Sequence, residues 1–64
     1  MLIKIKTLQN EVVWVEAIRF VHLQDEGIVK IETIVGSKYE MTLSDLESVT
    51  LYPGEGANGE IAIK

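Results

Sequence analysis

Apolar and polar residues alternate with a period of two along almost the whole chain, and no window sustains the three-and-four spacing of an amphipathic helix. This pattern predicts an all-β fold. A first strand runs from Leu2 to Thr7, with Ile3 and Ile5 inward and Lys4 and Lys6 facing water, and Gln9 and Asn10 mark the turn after it. The second strand, from Glu11 to Leu23, is the longest and changes phase along its length. Val13, Val15 and Ala17 share one face, whereas Ile18 and Phe20 fall on the opposite parity, with Glu16 and Arg19 on the complementary sides. Such a slip predicts a bulge or sharp bend near Glu16 and Ala17, where one extra residue lets a single strand serve both halves of a curled sheet. Two separate short strands are the alternative.

Gln24, Asp25, Glu26 and Gly27 read as the next turn, with Gly27 free to take a positive φ. In the third strand Val29, Ile31, Thr33 and Val35 point inward and Lys30 and Glu32 outward; in the fourth, Tyr39, Met41 and Leu43 point inward. Opposed residues must share a face. A two-residue Gly36-Ser37 turn would set Ile34 against Tyr39 and mix the faces. A three-residue loop through Lys38 is therefore expected, pairing Val35 with Tyr39 and Thr33 with Met41. Ser44-Asp45-Leu46-Glu47 has the spacing of a capping box, which predicts one helical or 3₁₀ turn near residues 44–48 that buries Leu46 and feeds a fifth strand from Val49 to Tyr52. Pro53, lacking an amide hydrogen, ends that strand. Residues 53–60 read as a flexible glycine-rich loop, and the alternation of Ile61 and Ile63 makes residues 60–64 either a sixth, edge strand or a frayed tail. Residues 1–64 thus form a single small β domain. The expected architecture is a five- to six-stranded SH3-like barrel or curled antiparallel sheet. The resemblance to SH3-like barrels lies in the order of the strands and implies no activity.

Size raises a question that the pattern alone does not. A chain of 64 residues buries only about 60% of the surface its unfolded form exposes, and a lone core of this size seldom supplies more than about 3–5 kcal/mol. Disulfides are ruled out by the absence of cysteine, and a structural zinc site is disfavoured by the presence of one histidine, His22. Association is the staple that is left. Hydrophobic residues make up 47% of the chain, and Val12, Val13, Trp14 and Val15 place apolar groups on both faces of the second strand. Trp14 shares a face with Val12, while Val21 and Leu23 fall opposite Phe20 and extend the apolar surface. Val12, Trp14, Val21 and Leu23 are therefore the candidate protein interface, tryptophan being enriched among interface hot spots. The alternative places Trp14 in the core and exposes Val13 and Val15, which still leaves an apolar face.

The formal charge of −4 disfavours phosphate backbones, and Lys4, Lys6, Arg19, Lys30, Lys38 and Lys64 are scattered among acidic neighbours. From Glu16 to Val49 the strands run into a short polar-apolar segment in a way that is similar to the β-rich LytTR family of DNA-binding domains. That resemblance implies nucleic-acid binding through the sheet; LytTR domains read DNA through basic residues, whereas this region is acidic. Nothing in the chain points to catalysis. His22 with Asp25 and Glu26 lies at a strand end and turn that do not hold three ligands on one face. Ser44 beside Asp45 has no neighbouring histidine. Glu32 and Glu40 sit on a solvated face without a cleft. Gly54, Gly56 and Gly59 are flanked by Glu55 and Glu60, which would repel a phosphate. No enzyme activity, metal, cofactor or small-molecule substrate is expected. Lys4 and Lys6 interrupt the N-terminal apolar stretch, and no apolar run reaches the roughly 20 residues of a membrane span. With cysteine absent, these features lead to the expectation of a cytoplasmic protein.

The function expected is that of a non-enzymatic interaction module, self-associating through its long apolar strand or an unpaired edge. The alternative is an acidic inhibitor or adaptor that presents Asp25, Glu26, Glu32, Glu40 and Glu47 to a basic surface of a partner protein.

Overall fold

The computed structural model describes residues 1–54 and 59–64. Its strands are β1 (Leu2–Thr7), β2 (Val12–Leu23), β3 (Ile28–Thr33), β4 (Lys38–Thr42), β5 (Leu46–Tyr52) and β6 (Ile61–Ala62), with one 3₁₀ turn at Leu43–Asp45. All neighbouring strands are antiparallel, in the order β4-β3-β2-β1-β5-β6. The sheet curls without closing into a barrel.

The curl comes from β2. Its first half pairs with β1, from Lys6↔Val12 to Leu2↔Glu16, and its second half pairs with β3, from Arg19↔Glu32 to Leu23↔Ile28. Between Ala17 and Arg19 the register shifts and Ile18 becomes the extra residue, one position beyond the expected site. A bulge bends its strand and reverses which parity faces inward. Hence Phe20, opposite Ile31, joins Val13, Val15 and Ala17 on the concave face although its parity differs. The strand is continuous, so the reading as two short strands does not apply.

The concave face holds the core. Ile3, Ile5, Ala17, Val29, Ile31, Leu46, Val49 and Leu51 are buried, and Val15, Phe20, Met41, Leu43 and Ile63 pack against them. Full burial of one large aliphatic side chain is worth about 1.5–3 kcal/mol. Lys4 and Lys6 alternate outward between Ile3 and Ile5, as the pattern of β1 requires.

Two hairpins share one turn design. In Thr7–Glu11 the Thr7 amide donates to the Glu11 carbonyl at 2.9 Å and the Asn10 amide to the Thr7 carbonyl at 3.0 Å, with Asn10 at φ 69°. In Thr33–Ser37 the Thr33 amide donates to the Ser37 carbonyl at 2.8 Å and the Gly36 amide to the Thr33 carbonyl at 3.0 Å, with Gly36 at φ 90°. Each threonine hydroxyl also accepts from the residue four positions on, Glu11 or Ser37. These are three-residue loops closed by a left-handed residue.

The second loop has the expected length but a different position. It comprises Ile34, Val35 and Gly36, not Gly36 to Lys38, so Tyr39 opposes Ile31 and Met41 opposes Val29. The turn needs its left-handed residue in third place, where glycine carries no Cβ penalty. Val35, expected to point inward, lies at the hairpin tip and is 81% exposed.

The helical turn also shifts. It begins at Leu43 behind Thr42, with no side-chain cap, so the Ser44–Glu47 capping box does not form. The Leu46 amide donates to the Leu43 carbonyl, and β5 starts at Leu46, three residues before the expected Val49. Leu46 is buried as expected. Glu47 extends along β5 and meets Lys6 at 3.0 Å. The chain ends in an edge strand, β6, with Ile63 donating to the Val49 carbonyl at 2.8 Å and packing on the core. Gln24 to Gly27 forms the expected turn, with Gly27 at φ 67°. Of the glycine-rich loop 53–60, residues 55–58 lie outside the described residues.

Candidate interaction surface

On the convex face, β2, β1 and β5 bring Trp14, Lys4 and Tyr52 together. Lys4 stands opposite both Trp14 and Thr50, and Tyr52 is two residue pairs further along, opposite Leu2. The Trp14 and Tyr52 rings lie 5.7 Å apart between centroids at 39°, and the Lys4 ammonium is 5.7 Å from the Trp14 centroid. These contacts cover one side of the indole, which remains 52% exposed. Val12 lies beside it, opposite Lys6. Trp14 therefore stands outside the core. The Tyr52 hydroxyl titrates above its ordinary 10.0, chiefly because it donates a hydrogen bond to the Glu60 carboxylate, with desolvation and the carboxylate's charge adding to the shift.

The concave side is also incompletely covered. Val13 points toward the core but is 47% exposed, because the sheet does not close over the end where β1 meets β2. Beside it lies an open groove of about 530 Å³, lined chiefly by Val13, Val15, Val35, Tyr39, Met41 and Leu46, with Glu16 its one charged residue. Sequence pattern offered no signal for this groove, because it depends on where the sheet stops.

The structure does not bring all four candidate interface residues together. Val12 and Trp14 share the convex face of the β1-paired half. Val21 and Leu23 lie beyond the bulge on the β3-paired half, both partly buried, opposite Lys30 and Ile28. Val21 lies seven positions on from Trp14, or about 23 Å of extended strand, with Glu16 and Arg19 exposed between them. Val21 lines a shallow groove of about 380 Å³ whose walls carry Arg19, Lys30, Glu32, Lys38 and Glu40. Charges of both signs alternate there. Lys30 and Glu40 approach to 3.8 Å, and Glu32 lies opposite Lys38.

Among the described residues, no cluster of three His, Asp or Glu side chains is arranged to hold a metal. His22 opposes Val29 on the β2–β3 ladder, while Asp25 and Glu26 occupy the turn beyond it. Ser44 is exposed in the 3₁₀ turn. Among the described residues, no helix is long and apolar enough to cross a membrane. Comparison with known proteins gave no match to a family, to a curated protein or to a solved structure.

Proposed function

We propose that this chain is a non-enzymatic interaction module that associates with itself through the exposed apolar part of β2. One observation carries the reading: Val12, Val13 and Trp14 are consecutive, lie on both faces of the sheet and are each about half exposed. Among the described residues, eight hydrophobic side chains are buried and eleven large ones are exposed, so much apolar surface is left outside the core. Apolar area of this kind gains by being covered, at roughly 25 cal/mol per Å² removed from water.

The carboxylates give the acidic-adaptor alternative less support. Glu40 and Glu47 lie 3.8 and 3.0 Å from Lys30 and Lys6, and Glu32 faces Lys38, so much of that charge is answered within the chain. Similarly, Lys4 lies over Trp14 and Lys6 against Glu47, which leaves little of a basic stripe for nucleic acid.

Sedimentation equilibrium across a concentration series tests the reading. Wild-type protein is expected to exceed the monomer mass at tens of micromolar at both low and high salt, because apolar contacts are little screened. The V12K/W14K variant is expected to lose that association while keeping its fold. A monomer at every concentration would sink the proposal. Association that disappears with added salt would show that charges, and not the apolar part of β2, hold the copies together.

A further inference from the structure

β4 is an outermost strand of the sheet: among the described residues it is bonded to β3 alone, so its other edge is open. The direction of its main-chain groups follows from the bonds at its ends. The Leu43 amide donates to the Gly27 carbonyl and the Thr33 amide to the Ser37 carbonyl, both at 2.8 Å. Antiparallel pairs alternate between bonded and non-bonded. Tyr39 and Met41 therefore turn their main-chain groups toward β3, while Lys38, Glu40 and Thr42 turn theirs toward the open edge. An open edge of this kind is a template for another strand.

The geometry points to β4 of a second copy of this chain as the occupant, paired antiparallel about a two-fold axis centred on Tyr39. Side-chain parity and charge select this register. Convex residues must meet convex residues, so pairings that engage at least three β4 residues are centred on Tyr39, Glu40 or Met41. Centring on Glu40 engages the whole strand but sets Glu40 against Glu40. Centring on Met41 leaves Lys38 unpaired and puts Glu40 opposite Thr42. Centring on Tyr39 sets Lys38 of each copy opposite Glu40 of the other. Lys38 and Glu40 are both edge-facing, so each of the two pairs is a hydrogen-bonded one.

The surrounding charges extend the match. Arg19 opposes Glu32, Glu32 opposes Lys38, and Glu40 lies 3.8 Å from Lys30. Across the joint the row would read Arg19, Glu32 and Lys38 of one copy, then Glu40 and Lys30 of the other, with alternating sign throughout. On the concave face the two Tyr39 rings, each 53% exposed in the single chain, would meet at the non-bonded pair, where side chains approach closest. This inference rests on the self-association proposed above and adds a second contact, since β3 separates β2 from this edge.

Variants K38E and E40K test it, measured by sedimentation singly and as an equimolar mixture. Each single substitution turns both cross-joint ion pairs into repulsions and is expected to weaken the contact roughly tenfold or more. In the mixture the opposite charges face each other again, so the mean mass is expected to recover, which also shows that both variants fold. A monomeric wild type would overturn self-association and this contact together. A wild type that associates, with K38E associating equally well, would overturn the Tyr39-centred joint and leave the β2 proposal standing. Loss in both single variants without recovery on mixing would overturn the joint as well.

Discussion

Replacing Gly36 with alanine isolates the turn that sets the β3–β4 register. Gly36 closes the loop at φ 90°, and a Cβ added there meets no heavy atom within 4 Å. Steric clash with the rest of the chain therefore contributes nothing, and the whole effect is the cost of holding an L-residue in left-handed backbone. That cost is about 1–2 kcal/mol. With a urea m-value near the lower end for small domains, ~1 kcal/mol/M, the unfolding midpoint is expected to fall by about 1–2 M. The measurement is urea denaturation followed by far-UV circular dichroism at one fixed protomer concentration, because association shifts apparent stability. Gly59→Ala is the control: its Cβ also meets open space and its φ lies outside the left-handed range, so its midpoint is expected to hold or rise slightly. If Gly36→Ala is as stable as wild type, Gly36 does not close the turn. The pairing of Ile31 with Tyr39 would then lose its basis.

Three further measurements bear on the core, the surface and Tyr52. Ile3→Ala, at a fully buried position, is expected to cost about 2–5 kcal/mol, whereas Ile34→Ala at an exposed hairpin tip is expected to stay within about 0.5 kcal/mol of wild type; equal losses in thermal melts would contradict the assignment of the core. Lys6→Ala removes the partner of Glu47, an exposed pair at 3.0 Å, and is expected to cost less than about 1 kcal/mol, with the difference shrinking as salt is added. Tyr52 is expected to ionise above the ordinary tyrosine value of 10.0 in an ultraviolet titration, and Glu60→Gln to lower its midpoint. Because its folded-state value is raised above 10.0, this hydrogen bond contributes stability that is fully present below pH 10 and is lost as pH climbs through the folded-state value. An unchanged titration in Glu60→Gln would remove Glu60 as the cause.

The face on which each side chain falls was legible along most of the chain. Ile3, Ile5, Val29, Ile31 and Thr33 are buried as alternation requires, while Lys4, Lys6, Lys30 and Glu32 lie on the other face. Register was less legible. Setting Tyr39 against Val35 satisfies the face rule, and so does setting it against Ile31, because the two differ by four residues and every even shift preserves parity. The turn decides between them, through the left-handed residue in third place of its loop. Thr7 to Asn10 carried the same signature, a threonine three residues before a residue tolerant of positive φ. The Ser44–Glu47 spacing misled for another reason: Glu47 is drawn along β5 beside Lys6, so its side chain is not available to cap.

The candidate surface divides in a similar way. An excess of apolar residues on both faces of β2 was visible from Val12 to Val15. Which face Trp14 takes was not, because it depends on Ile3 and Ile5 pairing with Val15 and Val13 and so placing Lys4 and Lys6 beside Trp14 and Val12. Nor was the separation of Val21 and Leu23 from Trp14, which follows from the bend at Ile18.

By itself, the order of residues determined an all-β chain, the inward and outward sets of β1 and β3, the need for a bend in the longest strand, and the turn at Gly27. These are local properties: side-chain direction reverses at every strand residue, and glycine tolerates backbone that other residues resist. Tertiary structure alone decided the register of the hairpins, the side of the sheet on which the indole stands, the open groove beside Val13, and the free edge at Lys38–Thr42. Each of those depends on which distant segment a strand meets and on where the sheet stops, and pairing at long range is set by closure of the turns and by packing of the core rather than by alternation along the chain.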